Sequence, residues 1–149
     1  MASVLIIFGS TGGNTEIVTD EVAEVLSNSG HKVTVQRAEE SDVKDLKGYS
    51  LYIFASSTYG QGLLQDHMLK FFYKVKQTSL KGKKCAVIGL GDNKYNTEYV
   101  IESAKILEKG IKEIGGKLIV PALRINKTPV PYLDTSVKDW AKKLSKAIK

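Results

Sequence analysis

Apolar residues fall at two spacings along the chain, and these spacings predict strands and helices in turn. Several short runs of consecutive apolar residues have the length of strands buried on both faces of a parallel sheet, and another run alternates apolar and polar residues as a half-exposed strand does. Pro121 lies inside the last predicted strand and indicates a sheet edge, because proline has no backbone N–H to donate. The predicted strands are residues 3–8, 32–37, 51–55, 85–90 and 117–124.

Between these strands, apolar residues recur at steps of three and four, which predicts amphipathic helices. The first helix is predicted from Thr15 to Ser29, and Gly115 with Gly116 ends the third. The apolar faces are Val18, Val22, Val25 and Leu26 in the first helix; Leu64, Met68, Phe72 and Val75 in the second; Val100, Ile101, Ala104, Leu107, Ile111 and Ile114 in the third; and Val137, Trp140, Ala141, Leu144 and Ile148 in the last. This order predicts a doubly wound α/β fold, with a five-stranded parallel sheet and helices on both faces, as a single domain over residues 1–149.

The composition agrees with a folded domain that lies outside membranes. Of the 149 residues, 42% are hydrophobic and 26% are charged, which is near the globular average. No apolar stretch approaches the roughly 20 residues that cross a bilayer, and the first residues lack the basic segment of a secretory signal. The lone cysteine, Cys85, cannot form an internal disulfide and is predicted to be a small core residue rather than a reactive thiol. We therefore expect a cytoplasmic protein with no membrane partner.

Charge is distributed unevenly along the chain. The net charge is +6, with 6 basic and 9 acidic residues in 1–75 against 16 basic and 7 acidic residues in 76–149. The basic half could bind a polyanion such as nucleic acid, or it could form the solvated outer faces of helices. Helical spacing favours solvated faces, so we expect no nucleic-acid partner. The lysines at that spacing are Lys105, Lys109, Lys112, Lys142, Lys143 and Lys146.

The loop after the first predicted strand, residues 9–15, has the residue types of a phosphate site. Its glycines allow backbone amides to converge, and the hydroxyls of Ser10, Thr11 and Thr15 add donors at a helix N-terminus. The loop contains no lysine or arginine, so it would suit a monophosphate held by neutral donors. The alternative interpretation is a glycine-rich turn with a threonine cap.

Two further loops, residues 56–62 and 89–95, leave the carboxyl ends of neighbouring strands, where ligands bind in such sheets. Each loop places a tyrosine beside glycines, Tyr59 in one and Tyr95 in the other. Either tyrosine alone is typical of ordinary packing. With the phosphate loop at the same edge, the pair indicates two aromatic planes around a flat ring system.

These three loops resemble those of the flavodoxin family, in the family's order. The similar segments are Ser-Thr-Gly-Gly-Asn-Thr at 10–15, Ser-Thr-Tyr-Gly at 57–60, and Gly-Leu-Gly-Asp at 89–92 followed by Tyr95. The resemblance covers essentially the whole chain, and the fifth strand without a long insertion is similar to the short-chain type. It implies strand order 2-1-3-4-5, bound FMN, and a monomeric, low-potential one-electron carrier that shuttles electrons between a reductase and an acceptor protein.

The resemblance also implies roles for individual residues. The phosphate and ribityl groups would be held by Ser10, Thr11, Gly12, Gly13, Asn14, Thr15 and Ser57. Tyr59 and Tyr95 would flank the isoalloxazine ring. The backbone around Thr58, Gly60, Leu90, Gly91 and Asp92 would bond the ring edge.

The chain departs from the family pattern at several loop positions. Gly12 stands where the family often has threonine, and Tyr59 where it often has tryptophan. Gln61, Asn93 and Lys94 occupy loop positions where flavodoxins typically carry carboxylates, so the usual acidic docking face is not expected.

Other functions on this fold require residues that the loops lack. A phosphoacceptor receiver domain needs acidic residues after the first strand, where Gly9 and Ser10 lie, and a small tyrosine phosphatase needs a cysteine in the first loop. An electron carrier is favoured over a self-sufficient enzyme, because a separate nicotinamide-binding domain does not fit in a chain of 149 residues. The alternatives left open are a flavin-dependent quinone or nitro reductase and an FMN subunit of a larger flavoenzyme.

The remaining candidate residues have structural interpretations. Trp140 lies on an apolar helix stripe and is predicted to pack in the core. His31 and His67 have no ligand-like spacing, so no metal site is predicted. Asp92 has no accompanying nucleophile and base, and is interpreted as a cap or electrostatic neighbour rather than a catalytic acid.

Overall fold

A computed structural model describes residues 2–59, 62–91 and 101–148 of the chain. Its strands are β1 (Ser3–Gly9), β2 (Lys32–Arg37), β3 (Leu51–Tyr59), β4 (Leu63–Leu64), β5 (Lys84–Gly91), β6 (Lys117–Leu118) and β7 (Leu123–Asn126). Its helices are α1 (Asn14–Asn28), α2 (Asp66–Val75), α3 (Glu102–Glu113) and α4 (Lys138–Ala147). The described residues thus alternate strands and helices as predicted, and α4 is preceded by a wider helical turn at Leu133–Val137.

One sheet runs in the order β2-β1-β3-β5, and both β6 and β7 pair with the outer edge of β5. All of these pairs are parallel. If β6 and β7 count together as the fifth strand, this is the predicted order 2-1-3-4-5. The predicted doubly wound α/β fold is confirmed.

The outer strand of the sheet is split into β6 and β7, where the sequence predicted one continuous strand over 117–124. Cys85 pairs with Leu118 and Ile88 pairs with Leu123, so the outer chain uses two more residues than β5 over the same stretch. Pro121 lies in this bulge at the sheet edge, where its missing N–H removes no ladder bond. The carbonyl of Pro121 accepts a hydrogen bond from Nε1 of Trp140 at 2.8 Å, so α4 holds the bulge in place.

The third strand is longer than predicted. The residues expected to begin a loop at Ser56 continue β3 as far as Tyr59, and the chain then returns as β4, antiparallel to the end of β3. Thr58 pairs with Leu64 and Tyr59 with Leu63. Leu64 therefore belongs to a short hairpin and not to the helix in which its spacing placed it. Hydrophobicity could not predict the extension, because the polar end of a strand has the composition of a loop.

The core has one layer on each face of the sheet. Successive residues of β1 alternate between the layers, with Ile6 packing under α1 and α4 and Ile7 packing under α2 and α3. Trp140 is buried in the first layer and Cys85 in the second, as predicted. Burial raises the pKa of the Cys85 thiol to about 12, so this cysteine stays a neutral core residue at physiological pH.

The outer faces of the helices carry the lysines of the basic half. All six lysines predicted to lie on solvated faces are exposed: Lys105, Lys109, Lys112, Lys142, Lys143 and Lys146. Within the described ranges, no helix combines the length and apolar character needed to cross a membrane.

Gly89 provides the first prediction, because α3 packs directly on the backbone of β5 there. A Cβ at Gly89 would lie 2.7 Å from Cβ and 2.8 Å from the backbone N of Ala104. Gly89→Ala should therefore lower the free energy of unfolding by about 1–3 kcal/mol, the usual cost of overpacking. Urea denaturation of the protein without bound ligand measures this change. Gly12→Ala is the matched control, since a Cβ at Gly12 meets no heavy atom within 4 Å. Equal stability of the two variants would contradict this packing argument.

Candidate functional site

The three predicted loops begin side by side, because the carboxyl ends of the parallel strands lie in register. Gly9 at the end of β1 pairs with Ser56 of β3, and Ser56 pairs with Gly89 of β5. At the outer edge, Gly91 pairs with Asn126 at the end of β7. The sheet therefore brings the first loop, the β3–β4 hairpin and the start of the third loop to one edge.

The first loop curls into the N-terminus of α1. Gly13 caps the helix with φ 87° and ψ −10°, a left-handed conformation that glycine adopts without steric cost. The Ser10 hydroxyl accepts a hydrogen bond from the backbone N–H of Gly13 at 3.0 Å and holds the turn. No side chain of the described residues caps α1, so the alternative of a threonine cap is wrong. The amides of the first helical turn are left without a capping side chain, as a bound anion requires.

Two buried hydroxyls at this edge have no hydrogen-bond partner among the described residues. They are Oγ1 of Thr15, a residue only 1% exposed, and Oγ of Ser57. A buried hydroxyl without a partner costs about 1–3 kcal/mol, so such groups are rare unless a ligand completes them. Both residues were predicted to bind the phosphate and ribityl groups. The donor set at this edge therefore fits FMN.

Most of the other predicted residues of the first loop lie at the protein surface. Thr11, Gly12 and Asn14 are exposed, and Ser10 is buried at the base of the loop. The space around Gly12 leaves room for a ligand close to the backbone.

The hairpin and the start of the third loop contain the next predicted residues. Ser57, Thr58 and Tyr59 are half-buried at the end of β3. Leu90 is buried at the end of β5, and Gly91 beside it is half-buried.

Several predicted positions fall outside the described residues. They are Gly60, Gln61, Asp92, Asn93, Lys94 and Tyr95. The sandwich of a ring between Tyr59 and Tyr95 thus stays a prediction.

Ser103 at the start of α3 is a site residue that the sequence analysis missed. Thr58 donates its hydroxyl hydrogen to Ser103 Oγ at 2.9 Å, and the Ser103 backbone N–H donates to Thr58 Oγ1 at 3.1 Å. Ser103 Oγ in turn donates to the carbonyl of Ser56 at 3.0 Å. The Thr58 side chain is therefore tied to the start of α3. A serine on an otherwise apolar helix stripe was the available signal.

Gln65, just before α2, was also missed. It is 1% exposed, and its side chain caps α2 while contacting Thr11 of the first loop. No signal in the sequence marked it, because the apolar spacing placed Leu64, and with it Gln65, inside the helix, and because glutamine is not a preferred N-cap residue.

Arg37 pairs with a carboxylate in the first turn of α1. Arg37 at the end of β2 donates to Glu16 in the first turn of α1 at 2.8 Å, and its guanidinium lies 5.2 Å from the centre of the Phe8 ring. Residues 9–15 have no charged side chain of their own, so the donors that this loop offers are neutral. In the described part of the chain, no group of three or more histidine, cysteine, aspartate or glutamate side chains could hold a metal ion.

Comparison with known proteins decides the family. Residues 6–140 match the family model described as Flavodoxin. The chain belongs to the flavodoxin family. It is 33% identical to a flavodoxin of Maridesulfovibrio salexigens over 132 residues, which is 87% of this chain and 89% of that protein.

Solved flavodoxin structures have the same fold over almost the whole chain. Oxidised flavodoxin 2 from Bacillus cereus is 31% identical, with a TM-score of 0.86, and the match covers 99% of this chain and 97% of that one. A short-chain flavodoxin associated with a bacterial microcompartment is 25% identical, with a TM-score of 0.90, and the match covers both chains completely. The resemblance to short-chain flavodoxins is thus confirmed.

Family membership carries the function. This flavodoxin is a low-potential one-electron carrier that uses FMN, and it is an electron-transfer protein rather than an enzyme. FMN supplies the one-electron chemistry when it is bound. The protein supplies binding, orientation and the surrounding charge.

Thr15 provides the prediction that tests its unpaired hydroxyl. Thr15→Val keeps the side-chain shape and removes the buried oxygen, so it should raise the free energy of unfolding of the FMN-free protein by about 1 kcal/mol. The same change should weaken FMN binding about tenfold or more, because a hydrogen bond to a charged group is lost. Urea denaturation and fluorescence titration measure the two effects.

Thr19→Val is the matched control for Thr15. Thr19 is also fully buried in α1, but its hydroxyl donates to the carbonyl of Glu16 at 3.0 Å. This change should leave FMN affinity unaltered and should not stabilise the protein. Lower stability of Thr15→Val would show that the hydroxyl is hydrogen-bonded in the FMN-free protein. Unchanged FMN affinity would show that the hydroxyl does not bond to FMN.

Proposed function

We propose that the loop at 10–15 together with Ser57 holds the phosphate and ribityl groups of FMN in this flavodoxin. The observation that carries the proposal is a pair of buried hydroxyls, those of Thr15 and Ser57, which have no hydrogen-bond partner among the described residues. They lie at the same sheet edge as a helix N-terminus that no side chain of those residues caps. Neutral donors and the positive end of a helix dipole stabilise a phosphate without a lysine. The full proposed set is Ser10, Thr11, Gly12, Gly13, Asn14, Thr15 and Ser57.

We propose that the hairpin and the third loop position the isoalloxazine ring. Tyr59 at the end of β3 and Tyr95 flank its two faces, and the backbone around Thr58, Gly60, Leu90, Gly91 and Asp92 bonds its edge. Two hydrogen bonds between Thr58 and Ser103 hold this part of β3 against α3, so the end of β3 is a rigid support for the ring. Leu63 at the hairpin is 53% exposed, which gives a partner protein apolar surface beside the ring.

We propose that the protein is a monomeric, cytoplasmic carrier made of one FMN-binding domain over residues 1–149. It exchanges electrons with a reductase and an acceptor protein, and it has no nucleic-acid or membrane partner. Its net charge of +6 favours partners with acidic docking surfaces, because opposite charges accelerate encounter.

The carrier function is tested against the reductase alternative by a turnover assay. With NADPH or NADH and a quinone, the purified protein with bound FMN should show no turnover of its own. Addition of a ferredoxin-type reductase should produce rapid flavin reduction, followed by transfer to an acceptor protein. Turnover at an enzymatic rate without the reductase would favour a quinone reductase instead. A nitroaromatic acceptor in a parallel assay tests the nitro reductase in the same way.

The proposed partner preference predicts a charge-specific effect of Lys127. This exposed residue follows β7 at the carboxyl edge, where its backbone N–H donates to the carbonyl of Gly91 at 2.7 Å. Lys127→Glu should slow electron transfer to an acidic partner several-fold at low salt, and the wild-type rate should fall as salt rises. Stopped-flow kinetics over a range of ionic strengths measures both.

Lys146→Glu is the charge-matched control. Lys146 lies near the end of α4, and that end is at the opposite edge of the sheet, because Ile148 O accepts a hydrogen bond from Lys84 Nζ at the start of β5. The control should keep most of the wild-type rate. Equal slowing by the two variants would mean that only net charge matters, and faster transfer at high salt would reject an acidic partner altogether.

A further inference from the structure

Gln65 joins three segments of the site through one buried residue. Its Oε1 accepts hydrogen bonds from the backbone N–H groups of His67 at 3.0 Å and Met68 at 3.1 Å, which caps α2. Its backbone N–H donates to Ser56 Oγ at 3.0 Å and to the carbonyl of Ser57 at 3.2 Å in β3. Its Nε2 reaches across to Oγ1 of Thr11 at 3.1 Å.

The orientation of the Gln65 amide is determined by its partners. Both groups that cap α2 are backbone N–H donors, and only the oxygen of an amide can accept from them. If Oε1 and Nε2 were exchanged, the two backbone N–H donors would face the NH₂ group, which cannot accept a hydrogen bond. The NH₂ group of Gln65 must therefore face Thr11.

This orientation determines what the Thr11 hydroxyl can offer a ligand. A threonine hydroxyl has one hydrogen to donate and two lone pairs that accept. Since Gln65 Nε2 donates hydrogen to Thr11 Oγ1, it occupies a lone pair and leaves the hydroxyl hydrogen free. Thr11 itself is exposed at the open side of the loop, so that hydrogen is available to an acceptor there.

We propose that Gln65 is a positioning residue that sets the Thr11 hydroxyl as a hydrogen-bond donor to the phosphate of the bound flavin. The proposal rests on the proposed phosphate site at 10–15. A phosphate dianion offers only acceptors, so a hydroxyl that is held as a donor is selective for it. Gln65 does not touch the ligand, and its effect passes through Thr11.

Close packing keeps the amide in this orientation. A side chain at Gly9 would collide with Oε1 of Gln65 and would lie 2.8 Å from Cβ of Met68. The amide is thus enclosed between the end of β1 and the start of α2, and it cannot turn away from Thr11 without losing the helix cap.

The test uses Gln65→Glu, which keeps the side-chain length and an oxygen to cap α2. A carboxylate cannot donate, so the Thr11 hydroxyl would donate to it instead of to the ligand. At pH 8, FMN binding should weaken about tenfold or more, as expected for a lost hydrogen bond to a charged group. Binding of riboflavin, which lacks the phosphate, should change less than about twofold. A purely structural defect would weaken both ligands alike.

Thr11→Val separates the action through Thr11 from simple charge repulsion. In the Thr11→Val background, Gln65→Glu should weaken FMN binding less than about threefold, because the hydroxyl that it acts on is absent. Repulsion between a carboxylate and the phosphate would persist in that background. Fully additive effects would therefore overturn the proposal.

Gln65→Met gives a second, uncharged variant in case the carboxylate prevents folding. It removes the donor to Thr11 without adding charge. As a single change it should reduce the preference for FMN over riboflavin, but it should have no such effect when it is combined with Thr11→Val. Circular dichroism and urea denaturation confirm that each protein is folded. An unchanged preference in folded Gln65→Met would reject the positioning role.

The outcomes also separate this proposal from the phosphate site on which it rests. If Thr11→Val alone leaves the preference for FMN over riboflavin unchanged, Thr11 does not contact the phosphate and the proposed site fails at that residue. If Thr11→Val lowers the preference while both Gln65 variants leave it intact, the phosphate site stands and the role of Gln65 is wrong.

Discussion

The parallel pairing of β1, β3 and β5 is the constraint on which the rest of the structure depends. These strands are buried on both faces, so helices must cover both, and each crossover returns the chain to the same edge of the sheet. The register then places Gly9, Ser56 and Gly89 side by side at that edge. Three loops that are far apart in sequence therefore begin next to one another, because the strands that lead into them are paired in register.

Polar side chains at this edge fall into two sets, according to whether they have a hydrogen-bond partner within the described part of the protein. One set is satisfied within the protein: Ser10 holds the first turn, Thr58 is tied to Ser103, and Gln65 caps α2. The other set, Thr15 and Ser57, is buried without a partner among the described residues. The first set stabilises the walls of the site, and the second is a cost in stability that a bound ligand can offset.

The two helices on one side of the sheet each contribute a polar anchor from their first residues. Ser103 lies in the first turn of α3, and Gln65 immediately precedes α2. Both residues hydrogen-bond to Ser56 in β3: Ser103 Oγ donates to its carbonyl, and the Gln65 N–H donates to its Oγ. The end of β3 is therefore held by α3 and by the residue before α2. The geometry of the site therefore depends on where these helices begin as well as on the loops themselves.

Sequence pattern alone was sufficient for the fold and for the residue types of the site. Strands buried on both faces have unbroken apolar runs and helices have a stripe, so the α/β order could be predicted from periodicity. The local composition of the first loop likewise indicated a phosphate held by neutral donors. These are short-range properties of the chain, and burial of apolar surface follows from them directly.

Tertiary structure decided the features that depend on distant partners. The split of the outer strand into β6 and β7 at Pro121 follows from the register of both segments with β5 and from the hydrogen bond between Pro121 and Trp140. The extension of β3 to Tyr59 comes from pairing with β4 and β5, which composition does not record. Gln65 and Thr11 are 54 positions apart, and only the folded chain brings the amide to the hydroxyl and determines which of their atoms donates. A hydrogen bond between distant residues needs both partners in place, and the spacing of residues along the chain does not show which distant residue the partner is.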